Sequence, residues 1–179
     1  MKIYKKYFDN KVIIFTPKIY YDKRGFFYES CNLNFIQNII KKRFIFHQSN
    51  ISVSKKNVVR GLHFQTYPFK QSKILRVLKG AILDIVVDIR KNSKTFGQHH
   101  SFLLTSNNKR IIYISEGFAH GFKSLEHNSE IEYFCSKPFS KKNEKVLLWD
   151  DSTININWGI KNNIIVSKKD SLGIQLHQL

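Results

Sequence analysis

The 179-residue chain has two cysteines, three prolines, one methionine and eight glycines. Two thiols, Cys31 and Cys135, cannot supply a disulfide framework, and reduced thiols in a cytoplasmic protein are the expectation. Few prolines and no Gly- or Ser-rich stretch leave no linker, repeat or low-complexity break, so residues 1–179 read as one domain. No apolar run reaches the roughly 18–20 residues that a membrane helix needs. The basic start, Met-Lys-Ile-Tyr-Lys-Lys, leads into no apolar segment of signal-peptide type, so neither secretion nor a membrane partner is expected. Acidic residues are also scarce, 13 against 30 Lys and Arg, for a net charge of +17.

The rest is an ordinary globular composition, 42% hydrophobic and 14% aromatic, which excludes a disordered or collagen-like chain. A chain of this length buries about 70% of its unfolded surface, enough for a sizeable core. The positive charge comes from 24 lysines and only six arginines. The lysines are scattered as pairs (Lys5-Lys6, Lys41-Lys42, Lys55-Lys56, Lys141-Lys142, Lys168-Lys169) instead of forming one stripe. That distribution fits a solvated surface with a general attraction for small anions, and no nucleic-acid partner is expected.

Leu33, Ile36 and Ile40, with Phe35 and Ile39 beside them, recur at helical spacing between Ser30 and Lys42. Elsewhere the pattern is that of short strands. From Ala81 to Arg90 the residues alternate: Ala81, Leu83, Ile85, Val87 and Ile89 share one face, and Ile82, Asp84, Val86, Asp88 and Arg90 the other. Segments 51–54, 60–65, 73–78, 99–104, 110–115, 119–125 and 130–135 are also β-rich. Lys79-Gly80, Asn92-Ser93 and Asn107-Asn108 mark turns between them. Many short strands with one or two short helices predict an all-β antiparallel sandwich or barrel, closed to hide its edges. The tail after Trp158 reads as a short packed helix.

Four clusters carry polar chemistry. They are Asp22-x-Arg24-Gly25-Phe26-Phe27-x-Glu29; Gln48-Ser49-Asn50 with Arg60-Gly61-Leu62-His63-Phe64-Gln65 and Gln71-x-Lys73; Glu116-Gly117-Phe118-Ala119-His120-Gly121-Phe122; and Glu130-x-Glu132-Tyr133 with Asp151 and Asp170 behind it. His63, Lys73, Tyr133 and Asp170 make up a base, a cation, a phenol and a carboxylate. Such a set suits proton abstraction next to a carbonyl, with the cation holding the enolate oxygen. Arg60 and His63 are an odd number of residues apart, so a regular strand would point them to opposite faces. If both serve one pocket the chain must bulge, and Gly61 is the natural place.

The run from Arg24 to Asp170 resembles the dTDP-4-dehydrorhamnose 3,5-epimerase family. Arg-Gly-Leu-His-Phe-Gln, Gln-x-Lys, Asp-Ile-Val-Val-Asp-Ile-Arg-Lys-x-Ser-x-Thr-Phe-Gly from Asp84 to Gly97, and Gly-Phe-Ala-His-Gly-Phe follow in order with almost no gaps. The resemblance implies a cupin-type jelly roll working as a homodimer on dTDP-4-dehydro-6-deoxy-D-glucose, inverted at C3 and C5 without cofactor or metal. It makes His63 the proton acceptor, Asp170 its carboxylate partner, Tyr133 the proton donor, and Lys73 and Arg60 the cations near the C4 oxygen. Arg24, Glu29, Gln48, Asn50, His120, Glu144 and Lys169 match positions lining the nucleotide-sugar site, the first two donated across the dimer. The chain departs from the family at Ser115 and Ser152, where Pro is usual, at Lys169, where Arg is common, and at Pro138-Phe139, in a stretch often rich in Tyr.

Asp84 and Asp88 look like an acid–base pair but are read as structural or orienting. Metal-binding cupins resemble one another in a His-x-His pair, which this chain lacks; the adjacent His99 and His100 point to opposite faces of a strand. Two rival functions are another 4-keto nucleotide sugar, or inversion of a single carbon. A third is a non-catalytic sugar- or nucleic-acid-binding domain, which would be expected to have lost His63, Tyr133 or Asp170.

Overall fold

The computed structural model describes residues 1–159 and 163–179. In chain order the elements are β1 (Lys2–Tyr7), β2 (Val12–Thr16), β3 (Ile19–Asp22), β4 (Gly25–Tyr28), α1 (Leu33–Ile40), β5 (Gln48–Ser54), β6 (Val58–Gln65), β7 (Lys73–Lys79) and β8 (Ala81–Asp88). There follow β9 (His99–Thr105), β10 (Ile111–Ile114), β11 (Phe118–Ser124), β12 (Ser129–Cys135), β13 (Glu144–Val146) and β14 (Ile165–Val166). One sheet has the order β1-β2-β10-β7-β12-β5 and the other β13-β6-β11-β8-β9, with β3 and β4 forming a separate hairpin. All neighbours run antiparallel except the two-residue β14, which lies parallel to β6. This is the antiparallel sandwich that the strand pattern predicts, in the cupin-like jelly-roll form that the family resemblance implies.

Three apolar layers follow from strand alternation. The inner faces of both sheets meet in a core that includes Ile14, Leu75, Val77, Ile82, Val86, Leu104, Ile112 and Phe122. Behind the β6-containing sheet, Val59, Leu62, Ile85 and Val87 pack against Leu147, Ile154, Trp158 and Leu176 from the C-terminal tail. Behind the β7-containing sheet, Ile13, Phe15, Ile74 and Tyr113 are covered by α1 through Ile36. β8 is therefore buried on both faces, and its inward residues include the fully buried carboxylates Asp84 and Asp88.

The helix expected between Ser30 and Lys42 is α1. It starts where the Asn32 side chain accepts the Phe35 N–H at 2.8 Å, and ends at Lys41 in the left-handed region, φ 53°. The tail helix expected after Trp158 is instead two three-residue 3₁₀ turns, Asp170–Leu172 and Leu176–Gln178, and residues 160–162 lie outside the described residues. Gly173 holds the segment between them extended against Leu148, where a Cβ would meet the Leu148 nitrogen at 2.8 Å, so no continuous helix forms.

Between Arg60 and His63 the chain bulges as its parity requires. His120 lies opposite His63 and Phe122 opposite Arg60, so three steps along β6 answer two along β11. Gly61 has φ 111°, and a Cβ there would meet Gly121 Cα and the His120 carbonyl oxygen, each at 2.7 Å. A Cβ on Gly121 would meet the Arg60 carbonyl oxygen at 2.5 Å. The two glycines thus let the strands approach closely, and the bulge turns Arg60 and His63 to the same interior.

Candidate active site

Between the sheets lies a cavity of three lobes of about 490, 310 and 230 Å³, each lined by both His63 and Lys73. His63 comes from β6 in one sheet. Lys73 and Tyr133 come from β7 and β12 in the other, on the inward parity shared with Leu75 and Ile131. Base and phenol therefore face the cavity from opposite walls. Lys73 Nζ lies 6.0 Å from the Tyr133 ring centroid.

His63 Nε2 is 2.7 Å from Asp170 Oδ1, and the Gly61 backbone N–H donates to Asp170 Oδ2 at 3.2 Å. Asp170 is buried at the start of a 3₁₀ turn, where its own N–H donates to Ser167 Oγ at 3.1 Å. Burial pushes the Asp170 carboxyl up, but the hydrogen bond and charge of His63, the Gly61 N–H and the charge of Lys169 together hold it below the usual carboxylate range. An ionised carboxylate only accepts, so in the neutral imidazole the His63 proton sits on Nε2 and Nδ1 carries the lone pair. That imidazole is a base held in one tautomer.

Burial pushes the Tyr133 phenol above its ordinary range, so it keeps its proton at neutral pH and can donate it. Burial also pulls the Lys73 ammonium below the usual lysine range, while the Cys135, Asp84 and Glu144 charges act in the opposite direction. Among the described residues no carboxylate lies within 4.0 Å of Lys73. A poorly hydrated cation of this kind binds a developing oxyanion more strongly than one in water.

The other expected residues divide into two groups. Arg60 is at the rim, its guanidinium donating to Ser54 Oγ at 3.0 Å and to the Val53 carbonyl at 3.2 Å. Gln48 and Asn50, inward on β5, are joined at 2.7 Å, and Gln48 also accepts the Phe139 N–H. Glu144, on β13 beside β6 in the opposite sheet, forms an ion pair of 2.8 Å with Lys169. His120, opposite His63 on β11, places Nε2 2.7 Å from Asp84 Oδ2. Arg24 and Glu29 do not line this cavity: Arg24 is exposed in the β3–β4 turn and paired with Asp22, and Glu29 accepts from Asn32.

The structure separates the two β8 carboxylates. Asp88 is clasped by Arg90, Ser93 and Thr95, which outweigh the effect of burial and bring its pKa to about 2. Asp84 orients His120. Cys135 and Phe139 also line the cavity; the sequence marks Phe139 as a departure from the family and Cys135 only as a thiol, although Cys135 lies two residues beyond Tyr133 on one strand, where period-two spacing already puts it on the same face. Cys31 and Cys135 are free thiols. Among the described residues no three His, Cys, Asp or Glu side chains gather as metal ligands, and no helix is long and apolar enough to cross a membrane.

The family model for dTDP-4-dehydrorhamnose 3,5-epimerase matches residues 10–178. A curated relative of that name from Shigella flexneri is 43% identical over 157 residues, covering 88% of this chain and 87% of its own. The crystal structure of the Elizabethkingia anophelis enzyme aligns with a TM-score of 0.94 at 34% identity, covering 99% of this chain and 97% of that one. A Legionella pneumophila epimerase solved in complex with dTDP-4-keto-L-rhamnose aligns with a TM-score of 0.93 at 36% identity, covering 98% and 93%.

Proposed function

This chain belongs to the dTDP-4-dehydrorhamnose 3,5-epimerase family, and from that premise we propose that it converts dTDP-4-dehydro-6-deoxy-D-glucose to dTDP-4-dehydro-L-rhamnose by inverting C3 and C5. The 179 residues act as one domain, in the cytoplasm, with no cofactor or metal. The observation that carries this reading is an Asp-oriented imidazole and a protonated phenol on opposite sheets, facing one cavity across a lysine with no carboxylate partner among the described residues.

Inversion needs a proton taken from one face of a carbon and another delivered to the opposite face. The C4 ketone acidifies the protons on C3 and C5. His63 Nδ1 removes one, and the imidazolium that forms is stabilised by the Asp170 carboxylate already bound to Nε2. The electron pair moves to the C4 oxygen, where Lys73, assisted by Arg60 at the rim, stabilises the negative charge. Tyr133 then gives its phenolic proton to carbon from the far wall, and solvent restores both residues. Gln48, Asn50, Glu144, Lys169 and His120 line the space left for the rest of the nucleotide sugar.

The working unit is a homodimer. The β3–β4 hairpin belongs to neither main sheet and exposes Tyr20, Tyr21, Phe26 and Phe27. An aromatic surface of this kind fits a second copy, whose cavity Arg24 and Glu29 would complete. The test of the function is to supply the dTDP-4-keto sugar in deuterated water. Label at both C3 and C5 of an inverted product supports it; label at one carbon reduces the reading to a single-carbon epimerase, and no label overturns it.

A further inference from the structure

We propose that Asp84 is a positioning residue that fixes His120 as an acceptor for the hydroxyl on C3 of the sugar, so that the site selects 4-keto hexoses retaining that hydroxyl. The inference rests on the epimerase reading above. His63 and His120 are partners across β6 and β11, both facing the cavity, with neighbouring imidazoles about 5 Å apart at their Cβ atoms. Each places Nε2 2.7 Å from a buried carboxylate oxygen, Asp170 on one flank and Asp84 on the other. An ionised carboxylate cannot donate, so each ring in its neutral form carries the proton on Nε2 and presents a bare Nδ1. The reaction uses the lone pair of His63 and leaves that of His120.

Asp84 is fully buried, and its second oxygen, Oδ1, has no partner among the described residues. The bond to His120 is therefore its one hydrogen bond, as expected of a group kept to set a ring's orientation. Lys73, Arg60 and Tyr133 approach the sugar as donors and suit the ketone oxygen. A sugar hydroxyl brings a donor of its own and needs an acceptor. While His63 works at C3, the substituent of C3 is within reach of the adjacent imidazole, whose Nδ1 supplies that acceptor.

The charge of Asp84 also favours the ammonium of Lys73. An effect through Lys73 would change enolate formation equally for every substrate, whereas an effect through His120 depends on the hydroxyl. The experiment measures kcat/KM for C5 proton–deuterium exchange with the parent dTDP-4-keto sugar and with its 3-deoxy and 2-deoxy analogues. The wild-type protein should prefer the parent to the 3-deoxy analogue by about 10-fold or more, the effect of one buried hydrogen bond. In Asp84→Asn and His120→Phe that preference should fall to within about 3-fold. A wild-type protein indifferent to the 3-hydroxyl overturns the proposal whether or not the variants fold. So does a preference unchanged in folded variants, an equal loss on all three substrates, or discrimination at C2 instead of C3. Failure of the wild type to exchange C5 of the parent would instead overturn the epimerase reading itself.

Discussion

Replacing Asp170 by Asn changes one atom, and the structure says why it should matter. The carboxylate accepts on both oxygens, from His63 Nε2–H at 2.7 Å and from the Gly61 N–H at 3.2 Å, in a buried position. An amide can satisfy only one of these donors. If its oxygen faces His63, its NH₂ opposes the Gly61 N–H and two buried donors collide. If its NH₂ faces His63, Nε2 must accept, the ring proton moves to Nδ1, and the base is blocked. Either way the imidazolium formed in the reaction loses its anionic partner. A hydrogen bond to a charged group contributes about 1.5–3 kcal/mol, so kcat should fall by roughly 10- to 150-fold with KM little changed, because the loss falls on the chemical step. Steady-state turnover and C5 exchange in deuterated water both measure it. A loss below about 3-fold, or one confined to KM, would refute the dyad argument. Because the Asp170 pKa is lowered by folding, its stabilising contribution is present above the ordinary carboxylate pKa and is lost as pH falls through the depressed value. The Asn variant should lack that acid limb.

The bulge gives a second expectation: a methyl on Gly121 would meet the Arg60 carbonyl oxygen at 2.5 Å, so Gly121→Ala should cost about 1–3 kcal/mol, and an unchanged melting temperature would contradict the close approach. Lowering of the Asp88 pKa from 3.8 to about 2 corresponds to about 2 kcal/mol of stability at neutral pH. In urea melts Asp88→Asn should be destabilised at neutral pH, and the difference should shrink as pH falls toward 2; a pH-independent difference would rule out the charge as its source. If Arg24 and Glu29 complete the neighbour's cavity, dilution to a demonstrated monomer should abolish turnover, and full activity from that monomer would reject the shared site.

Most of the scaffold was legible because period two is a direct readout of a strand with two environments. The alternation from Ala81 to Arg90 put Asp84 and Asp88 on one face, which the structure turns inward, and the odd spacing of Arg60 and His63 required a bulge that Gly61 and Gly121 accommodate. β1 to β4 were less legible. β2 is buried on both faces and so does not alternate, while β3 and β4 form a largely exposed hairpin with no buried face to impose a pattern. The pairing of His63 with Asp170 spans 107 positions, which no local rule connects, and only the family's motif order brought them together. Asp84 reads from the sequence only as structural or orienting, and its partner His120 is visible only where β8 and β11 lie side by side.

The central claim is a division of labour between opposite walls, His63 taking the proton and Tyr133 returning it. The decisive measurement follows deuterium at C5 of recovered substrate in His63→Asn and Tyr133→Phe. His63→Asn should lose both exchange and product, since a positioned general base contributes about 10²–10⁴-fold. Tyr133→Phe keeps the base and the Lys73 cradle, so deuterium should still enter C5 from the His63 side, without inversion. Loss of exchange in Tyr133→Phe as complete as in His63→Asn would contradict the account, because Tyr133 would then be required to form the enolate.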